Sequence, residues 1–573
     1  MSAAVSKRTI LGGAVLVAVV VLAVAFGMQS LRGDGGGPLD GDLAEQIPPE
    51  AFVSAVATEW ADAWVANDGA AMQALAVAPA PDLVDKVASF RDGLRITALR
   101  ASPRTPSLLY DTATVSLDVA ADIQGLGTWT FATQLRLTLP VDAPTPADWK
   151  VVWTRDALHP ALTGERRLSV TRTFPPRAAL LAADGSPLAG GLVGRVGTAE
   201  ADSDERLVGD PVGTSGLQAA FDADLGGTAS GDVAVTEGGV VVDVLAHIDG
   251  RAPAPVMTSI DPVVQGRAEA QLAALLVDAP VDPAAPPPPE GQEPTKIAPA
   301  AAIVAIRPST GEVLAAASTP TNGFNRALNG QYPPGSTFKV ITSTALLTSG
   351  ITPDTPTTCP ATTDINGRTF SNAEEEQLGD ISFRTAFSHS CNTAFIQLAS
   401  QLEAADLVAA AQRFGFNAPP ALEVPAEQSS FPEPGGIVDQ VSAAIGQGRV
   451  LATPLQMASV AATIASGTHR PTTLRHVDVA PAGEPLPAGV AATLQELMRL
   501  VVSEGTGTAA ALPGTPVGGK TGTAEYGTAD PPRTHAWFIG FRGDLAVAVV
   551  VEDGGFGGRV AAPVAREVLR LVA

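Results

Sequence analysis

Hydrophobic and polar positions divide the chain into distinct stretches. From Ile10 to Met28 no position is charged, and most are Val, Ala or Leu. Nineteen residues rising about 1.5 Å each span about 28 Å, near the hydrocarbon thickness of a bilayer. Lys7 and Arg8 precede the run, so residues 1–31 are expected to be a short cytoplasmic tip and a transmembrane anchor, with the rest exported. Ala23-Val24-Ala25 also fits a small-x-small cleavage site, so a cleaved signal peptide is the rival reading. Residues 32–49, rich in Gly, Asp and Pro, read as a flexible linker. Phe52, Val56, Trp60 and Trp64 then recur every four residues and predict an amphipathic helix. Alternation follows. Thr128-Trp129-Thr130-Phe131 runs into Leu135, Leu137 and Leu139, and Trp149, Val151 and Trp153 fall on one strand face. Five of the six tryptophans lie between Trp60 and Trp153, so residues 50–158 are expected to form a separate α+β domain, a spacer or a ligand pocket.

Residues 160–254 carry few helix signals and are rich in Gly, Asp, Val and Thr, which predicts an extended β-rich module. Residues 279–296 include Pro286 to Pro289 and read as an exposed proline-rich insertion. From Pro299 onward strand and helix patterns alternate. Ile303–Ile306 and Val313–Ala316 predict a buried hairpin around Ser309-Thr310-Gly311-Glu312. Leu545–Val551 is another continuous apolar strand, followed by a helix over Pro563–Leu571. No repeat of 20–50 residues is present.

Composition narrows the function. At 573 residues the prior is about four domains. Acidic side chains outnumber basic ones 59 to 36, for a net charge of −23, which excludes a nucleic-acid binder that needs a basic face. Only six residues are lysine (Lys7, Lys86, Lys150, Lys296, Lys339, Lys520), against thirty arginines. Arginine serves for general charge, but it does not readily deprotonate, so a retained lysine invites a chemical explanation.

Three short motifs carry that chemistry. Ser336-Thr337-Phe338-Lys339 follows a Pro-Pro-Gly turn and opens an apolar helix over Phe338–Leu347. Three residues apart, Ser336 and Lys339 share a helix face. A serine hydroxyl needs an adjacent base. A desolvated lysine at a helix N-terminus shifts toward its neutral form and can be that base. Ser390-Cys391-Asn392 lies 54 residues after Ser336 at the start of another apolar helix. Lys520-Thr521-Gly522-Thr523 lies 130 residues further and suits a carboxylate. Singly the second and third motifs mean little; their order and separation are specific.

In this order the motifs resemble those of penicillin-binding proteins and serine β-lactamases. Residues 255–573 resemble the transpeptidase domain of penicillin-binding proteins. Thr258-Ser259-Ile260-Asp261, Ile445-Gly446-Gln447-Gly448 with Thr453-Pro454-Leu455-Gln456, and His535-Ala536-Trp537-Phe538-Ile539-Gly540 carry the likeness beyond the motifs. Pro176-Arg177, Asp184-Gly185 and Leu188-Ala189 are similar to the pedestal, or dimerisation-type, domain of class B members. Residues 50–158 resemble the NTF2-like domain of the methicillin-resistance type. The resemblance implies a multidomain α+β chain: an N-terminal transmembrane helix, an NTF2-like domain, a pedestal at 160–254, and a serine transpeptidase/β-lactamase-like α/β domain with a central antiparallel sheet.

It also implies a mechanism. Ser336 attacks the peptide carbonyl of a stem peptide ending in D-Ala-D-Ala, with Lys339 as base. Backbone N–H groups of Ser336 and Thr523 form the oxyanion hole. Ser390 relays a proton to the leaving amine and Asn392 holds the substrate amide. Lys520, Thr521, Gly522 and Thr523 hold the terminal carboxylate, or that of a β-lactam antibiotic. No cofactor or metal is implied. The expected partners are peptidoglycan stem peptides, β-lactams and a membrane glycosyltransferase or cell-wall synthesis complex, with catalysis outside the cell membrane. A D,D-carboxypeptidase and a scaffold with little catalysis are the alternatives. A β-lactamase fits less well, because Glu403, Glu423, Glu427 and Glu433 lack the deacylating Glu-x-x-Leu-Asn context. His389, beside Ser390, reads as a structural neighbour. Cys359 and Cys391 are the only cysteines. An exported chain permits a disulfide between them, closing a loop of roughly 33 residues; two free thiols are the other reading.

Overall fold

A computed structural model describes residues 48–572 apart from 142–144, 146, 279–295, 322, 477–479, 483 and 528–531. The apolar run Ile10–Met28, nearly all of the expected linker, and the proline-rich stretch lie outside the described residues. Among the described residues no helix is long and apolar enough to cross a membrane. The chain forms two units, one from Met1–Pro176, Ala199–Asp210 and Gly227–Ala252, the other from Arg177–Thr198, Pro211–Gly226 and Pro253–Ala573. Residues 160–254, read from the sequence as one module, are therefore divided between them. Strand Leu180–Leu181 pairs in parallel with Val256–Met257 inside the second unit, whereas Arg167–Val170 pairs with Gly231–Glu237 inside the first.

The first unit starts with helix α1 (Pro49–Val65), with proline in its first turn where the missing N–H costs nothing. Its buried positions are Val53, Ala57, Trp60, Ala61, Ala63 and Trp64. Phe52 and Val56, predicted to share the stripe, are only partly buried. A four-residue step overshoots the 3.6-residue turn, so the stripe moves to positions 53 and 57 at its start. Helix α2 (Leu83–Gly93) adds Leu83, Val87 and Phe90. The helices share a core with an antiparallel sheet in the order β1 (Ile96–Pro103), β2 (Thr112–Ile123), β3 (Gly127–Thr138), β4 (Lys150–Val151), and the short strand Ser107–Leu109 pairs with β2. Burial alternates along β2, with Ala113, Val115, Leu117, Val119, Ala121 and Ile123 inward. A three-stranded sheet of β5 (Arg167–Val170), β6 (Gly231–Glu237) and β7 (Val240–Ile248) adds Val233 to the same core.

The second unit is organised around another five-stranded antiparallel sheet. It contains β8 (Ala301–Ile306), β9 (Val313–Thr319), β10 (Gly518–Tyr526), β11 (Arg533–Arg542) and β12 (Leu545–Val551), in the spatial order β9-β8-β12-β11-β10. β8 and β12 are buried at every residue. Ile303, Ala305, Val547 and Val549 enter one core with helices α3 (Pro262–Ala274) and, at the chain's end, Ala561–Leu569. Ala302, Val304, Ala548 and Val550 enter another core on the opposite face. That core contains α4 (Lys339–Thr348), α5 (Asn392–Ala399), α6 (Pro454–Ser466) and α7 (Val490–Ser503). A sheet covered on both faces needs continuous apolar strands, which explains the runs seen in the sequence. The terminal helix α8 is Ala561–Leu569 rather than Pro563–Leu571. Pro563 sits at its third position, where its backbone nitrogen has no intrahelical partner to lose.

Candidate active site

The site lies at β10, the edge of the five-stranded sheet, against the start of α4. Pro333-Pro334 leads into a 3-10 turn, Gly335–Phe338, which passes directly into α4 at Lys339. Gly335 has φ +52°, and a Cβ there would lie 3.0 Å from the Thr523 carbonyl oxygen and 3.1 Å from Ala524 Cα. Glycine therefore lets the turn that carries Ser336 lie directly on the strand. Three hydrogen bonds fix this turn: Gly335 N to Gly446 O (2.9 Å), Thr337 Oγ1 to Pro334 O (2.7 Å) and Trp537 Nε1 to Pro333 O (3.0 Å). Ser336 is half-buried and Lys339 is fully buried.

The second motif sits where helix Phe383–Ser388 gives way to α5. Ser390 adopts φ +61°, a left-handed conformation that costs a serine energy and turns the chain sharply between the helices. Cys391 caps α5, its Sγ accepting from Ala394 N at 3.4 Å. The structure joins Cys391 to Cys359, with Cα atoms 6.2 Å apart. Buried Asn372 braces this corner. Its Oδ1 accepts from Thr393 N (3.0 Å), and its Nδ2 donates to Glu376 O (2.7 Å) and Pro360 O (2.9 Å). His389 Nδ1 lies 3.4 Å from Glu376 Oε1, an ion-pair geometry on the rim.

Lys339, Ser390, Asn392 and Lys520 converge on one hydrogen-bond network. Lys339 Nζ donates to Ser390 O (2.6 Å) and Asn392 Oδ1 (2.7 Å), with a longer contact to Ser390 Oγ (3.3 Å). Lys520 Nζ donates to the same Ser390 Oγ (2.8 Å) and to Thr521 O (3.1 Å). Asn392 Nδ2 is held by Ser371 O at 3.1 Å. Rings of Phe395 and Phe387 lie 5.1 Å and 5.9 Å from the Lys339 and Lys520 ammonium positions.

Burial decides the charge state. Desolvation holds Lys339 well below the usual lysine range; the positive charge of Lys520 lowers it further, while Glu376 acts in the opposite sense. Desolvation brings Lys520 down to about 7. A neutral Lys339 amine has two N–H groups and one lone pair. Its two short bonds to Ser390 O and Asn392 Oδ1 use both N–H groups and leave the lone pair to accept a proton.

In the third motif, Thr521 Oγ1 pairs with Thr506 Oγ1 at 2.6 Å, and Thr523 Oγ1 accepts from Gly557 N at 3.4 Å. At Gly522 a Cβ would lie 2.9 Å from Pro334 O and 3.0 Å from Thr337 Cγ2, so the strand and the Ser336 turn approach without a side chain between them. Of the motif residues expected from the sequence, Lys339, Ser390, Asn392 and Lys520 share one network, while Thr521, Gly522 and Thr523 lie on the strand against the Gly335–Phe338 turn that carries Ser336. Thr506, Asn372, Phe387 and Phe395 join the site without a motif to mark them. Each is an ordinary residue in its local sequence, and only the fold brings it to the motifs. No group of three or more His, Cys, Asp or Glu suited to a metal occurs among the described residues.

Residues 301–570 match the family described as penicillin binding protein transpeptidase domain. Over 327 residues the chain is 37% identical to the peptidoglycan D,D-transpeptidase PbpA of Mycolicibacterium smegmatis, covering 46% of this chain and 65% of that protein. It is 37% identical over 331 residues to PbpA of Mycobacterium tuberculosis, covering 47% of this chain and 66% of that one. The chain therefore spans a little under two thirds of these relatives. In fold it is similar to a ceftriaxone acyl-enzyme complex of M. tuberculosis penicillin-binding protein A, with 25% identity, a TM-score of 0.53, and 69% of this chain and 97% of that one covered. PBP2 of Pseudomonas aeruginosa gives 25% identity and a TM-score of 0.56, covering 70% of this chain and 96% of that one.

Proposed function

We propose that the chain is a class B penicillin-binding protein, a peptidoglycan D,D-transpeptidase that works through a Ser336 acyl-enzyme and is acylated there by β-lactams. The observation that carries this reading is the meeting of Lys339, Ser390, Asn392 and Lys520 in one hydrogen-bond network at the end of the turn that carries Ser336. The names of the relatives and the acyl-enzyme state of a structural neighbour support it.

In this mechanism the Ser336 hydroxyl passes its proton to the neutral Lys339 amine as Oγ bonds to the carbonyl carbon of the penultimate D-Ala. The developing oxyanion is held by the N–H groups of Ser336 and Thr523. Ser390 Oγ, between the two lysine amines, hands a proton to the departing D-Ala nitrogen and is reprotonated from a lysine. Lys520, Thr521 and Thr523 hold the substrate carboxylate. A primary amine of a second stem peptide then attacks the acyl-enzyme, giving up a proton along the same path and releasing Ser336.

The rest of the reading concerns the setting. Residues 10–28 anchor the chain, with catalysis outside the membrane and in company with a membrane glycosyltransferase. Residues 50–158 form an NTF2-like domain, a reading supported by helices packed on a five-stranded antiparallel sheet. Fluorescent penicillin added to the intact chain tests the central claim. The adduct is expected on the Ser336 peptide by mass spectrometry, to persist for many minutes, and to vanish in Ser336→Ala without loss of a cooperative melt. Absent labelling of the folded chain, or rapid release of the adduct, overturns it.

A further inference from the structure

A second feature of the β10 edge concerns how much of a substrate it can read. β10 is an edge strand, so half of its backbone groups have no strand partner. The Gln447 side-chain amide lies against that edge, oriented so that both of its polar atoms are satisfied. Nε2 donates to the Glu525 carbonyl (3.2 Å) and Oε1 accepts from the Glu525 N–H (3.1 Å). An amide that takes both groups of one residue reproduces what a neighbouring strand's peptide would do.

The contact fixes which β10 residues face outward. Glu525 is opposite Thr534 on β11, yet its N–H and C=O turn to Gln447, so this is a non-hydrogen-bonded pair. Antiparallel pairs alternate, so Thr523 opposite Ala536 is non-hydrogen-bonded as well, and its N–H and C=O also face the free edge. The carbonyl of Thr523 is indeed the atom nearest a Cβ built on Gly335, the residue before the nucleophile. A donor peptide lying along this edge has its reacting carbonyl at Thr523 N–H and the N–H of the same residue at Thr523 O. The next position outward along the edge is Glu525, which Gln447 already occupies.

The loop that carries Gln447 is anchored independently. Gly446 has φ +73°, and a Cβ there would lie 2.1 Å from Gly335 O. Gly446 O accepts from Gly335 N, Gly446 N donates to Ala443 O, and Gln447 N donates to Ser442 O. The backbone can hold its place when the side chain is shortened.

We infer that Gln447 is a specificity-determining residue that closes the strand edge at Glu525, so that the main chain of the donor peptide is read only at its penultimate residue and not again two residues before it, where the alternation of an antiparallel pair would bring its groups to Glu525. The inference rests on the transpeptidase reading. It makes donor recognition depend on the two D-alanines: the residue before them turns its groups away from β10 by the alternation itself, and the group beyond it finds Glu525 taken.

The test is competition against fluorescent-penicillin labelling of Ser336 by two peptides, N-acetyl-D-Ala-D-Ala and N-acetyl-diamino acid-D-Ala-D-Ala, of which only the second carries an acetyl carbonyl far enough along the edge to meet the Glu525 N–H. Gln447→Ala, with Gln447→Ser as a second small replacement, frees the Glu525 groups. In both variants the extended peptide is expected to compete about fivefold better than with the unsubstituted chain, one net hydrogen bond's worth. The short peptide is expected to change less than about twofold by the same reasoning. Parallel changes for the two peptides, or none, overturn the inference. So do variants that melt cooperatively but take no label, because Gln447 would then be holding the nucleophile's turn. An unsubstituted chain that takes no label overturns the transpeptidase reading itself, and is seen before any variant is made.

Discussion

Two five-stranded antiparallel sheets in the same chain follow opposite rules. In the first unit, β2 and β3 bury every second side chain, and the outer positions are Asp118, Asp122, Thr130 and their neighbours. Arg100 and Arg104 pair there with Asp122 and Asp118 at the surface. In the second unit, β8 and β12 bury every residue, because helices cover both faces. The second sheet has no exposed face on which to place chemistry. Its reactive groups gather at the edge strand β10, where Lys520 and Thr521 are buried beside the start of α4. One sheet shows polar groups to water; the other holds them desolvated, which shifts a lysine amine toward its neutral form.

The largest expected effect comes from placing the same charge in each sheet. Val549→Lys in β12 buries an unpaired ammonium and should cost about 4 kcal/mol or more, enough to unfold the second unit. Thr130→Lys on the outer face of β3 should stay within about 0.5 kcal/mol. Chemical denaturation of both variants checks the pair, and similar midpoints would break the comparison. Next in size is the Cys359–Cys391 bridge. Replacing both residues with alanine releases a loop of roughly 33 residues and should cost about 3 kcal/mol in the second unit. Scanning calorimetry of that unit's transition measures it.

A smaller, graded effect follows from pH. With the Lys520 pKa at about 7 in the folded chain and 10.5 as the ordinary value, the unfolded chain holds more protons between these limits. The stability of the second unit should therefore rise with pH across this window, on the order of 1 kcal/mol per pH unit. Lys339, also held below its ordinary range, adds to the same slope, so Lys520→Met should reduce it without removing it. Removing this neighbouring charge should also move the acid limb of Ser336 labelling to higher pH, since Lys520 lowers Lys339. The smallest effect is at the surface of the first sheet. Arg104→Ala breaks a bidentate but solvent-exposed pair with Asp118 and should leave the melting midpoint unchanged within error.

Legibility in the sequence follows the same division. Alternation in β3 is visible because one face meets water, and Trp129, Leu135 and Leu137 are buried as that pattern requires. The continuous runs of β8 and β12 are visible as buried strands, though not their places in the sheet. The buried stripe on α1 lies one position from Phe52 and Val56, because a four-residue spacing does not match the helical turn. The division of residues 160–254 between two units left no local sign. A strand such as Arg167–Val170 looks the same wherever its partner lies.

The sequence by itself determined the chemistry of each motif: a hydroxyl one helical turn from a lysine, a turn ending in an amide side chain, and a lysine among threonines in a glycine-rich strand. These depend on neighbours within a few residues. Only the tertiary structure decided that the amines of Lys339 and Lys520 meet at one hydroxyl, that Asn372 and Thr506 brace the site, and that Gln447 closes the strand edge. Those contacts join residues up to 130 positions apart. Desolvation, which gives the lysines their altered charge, belongs to the packed interior and to no residue alone.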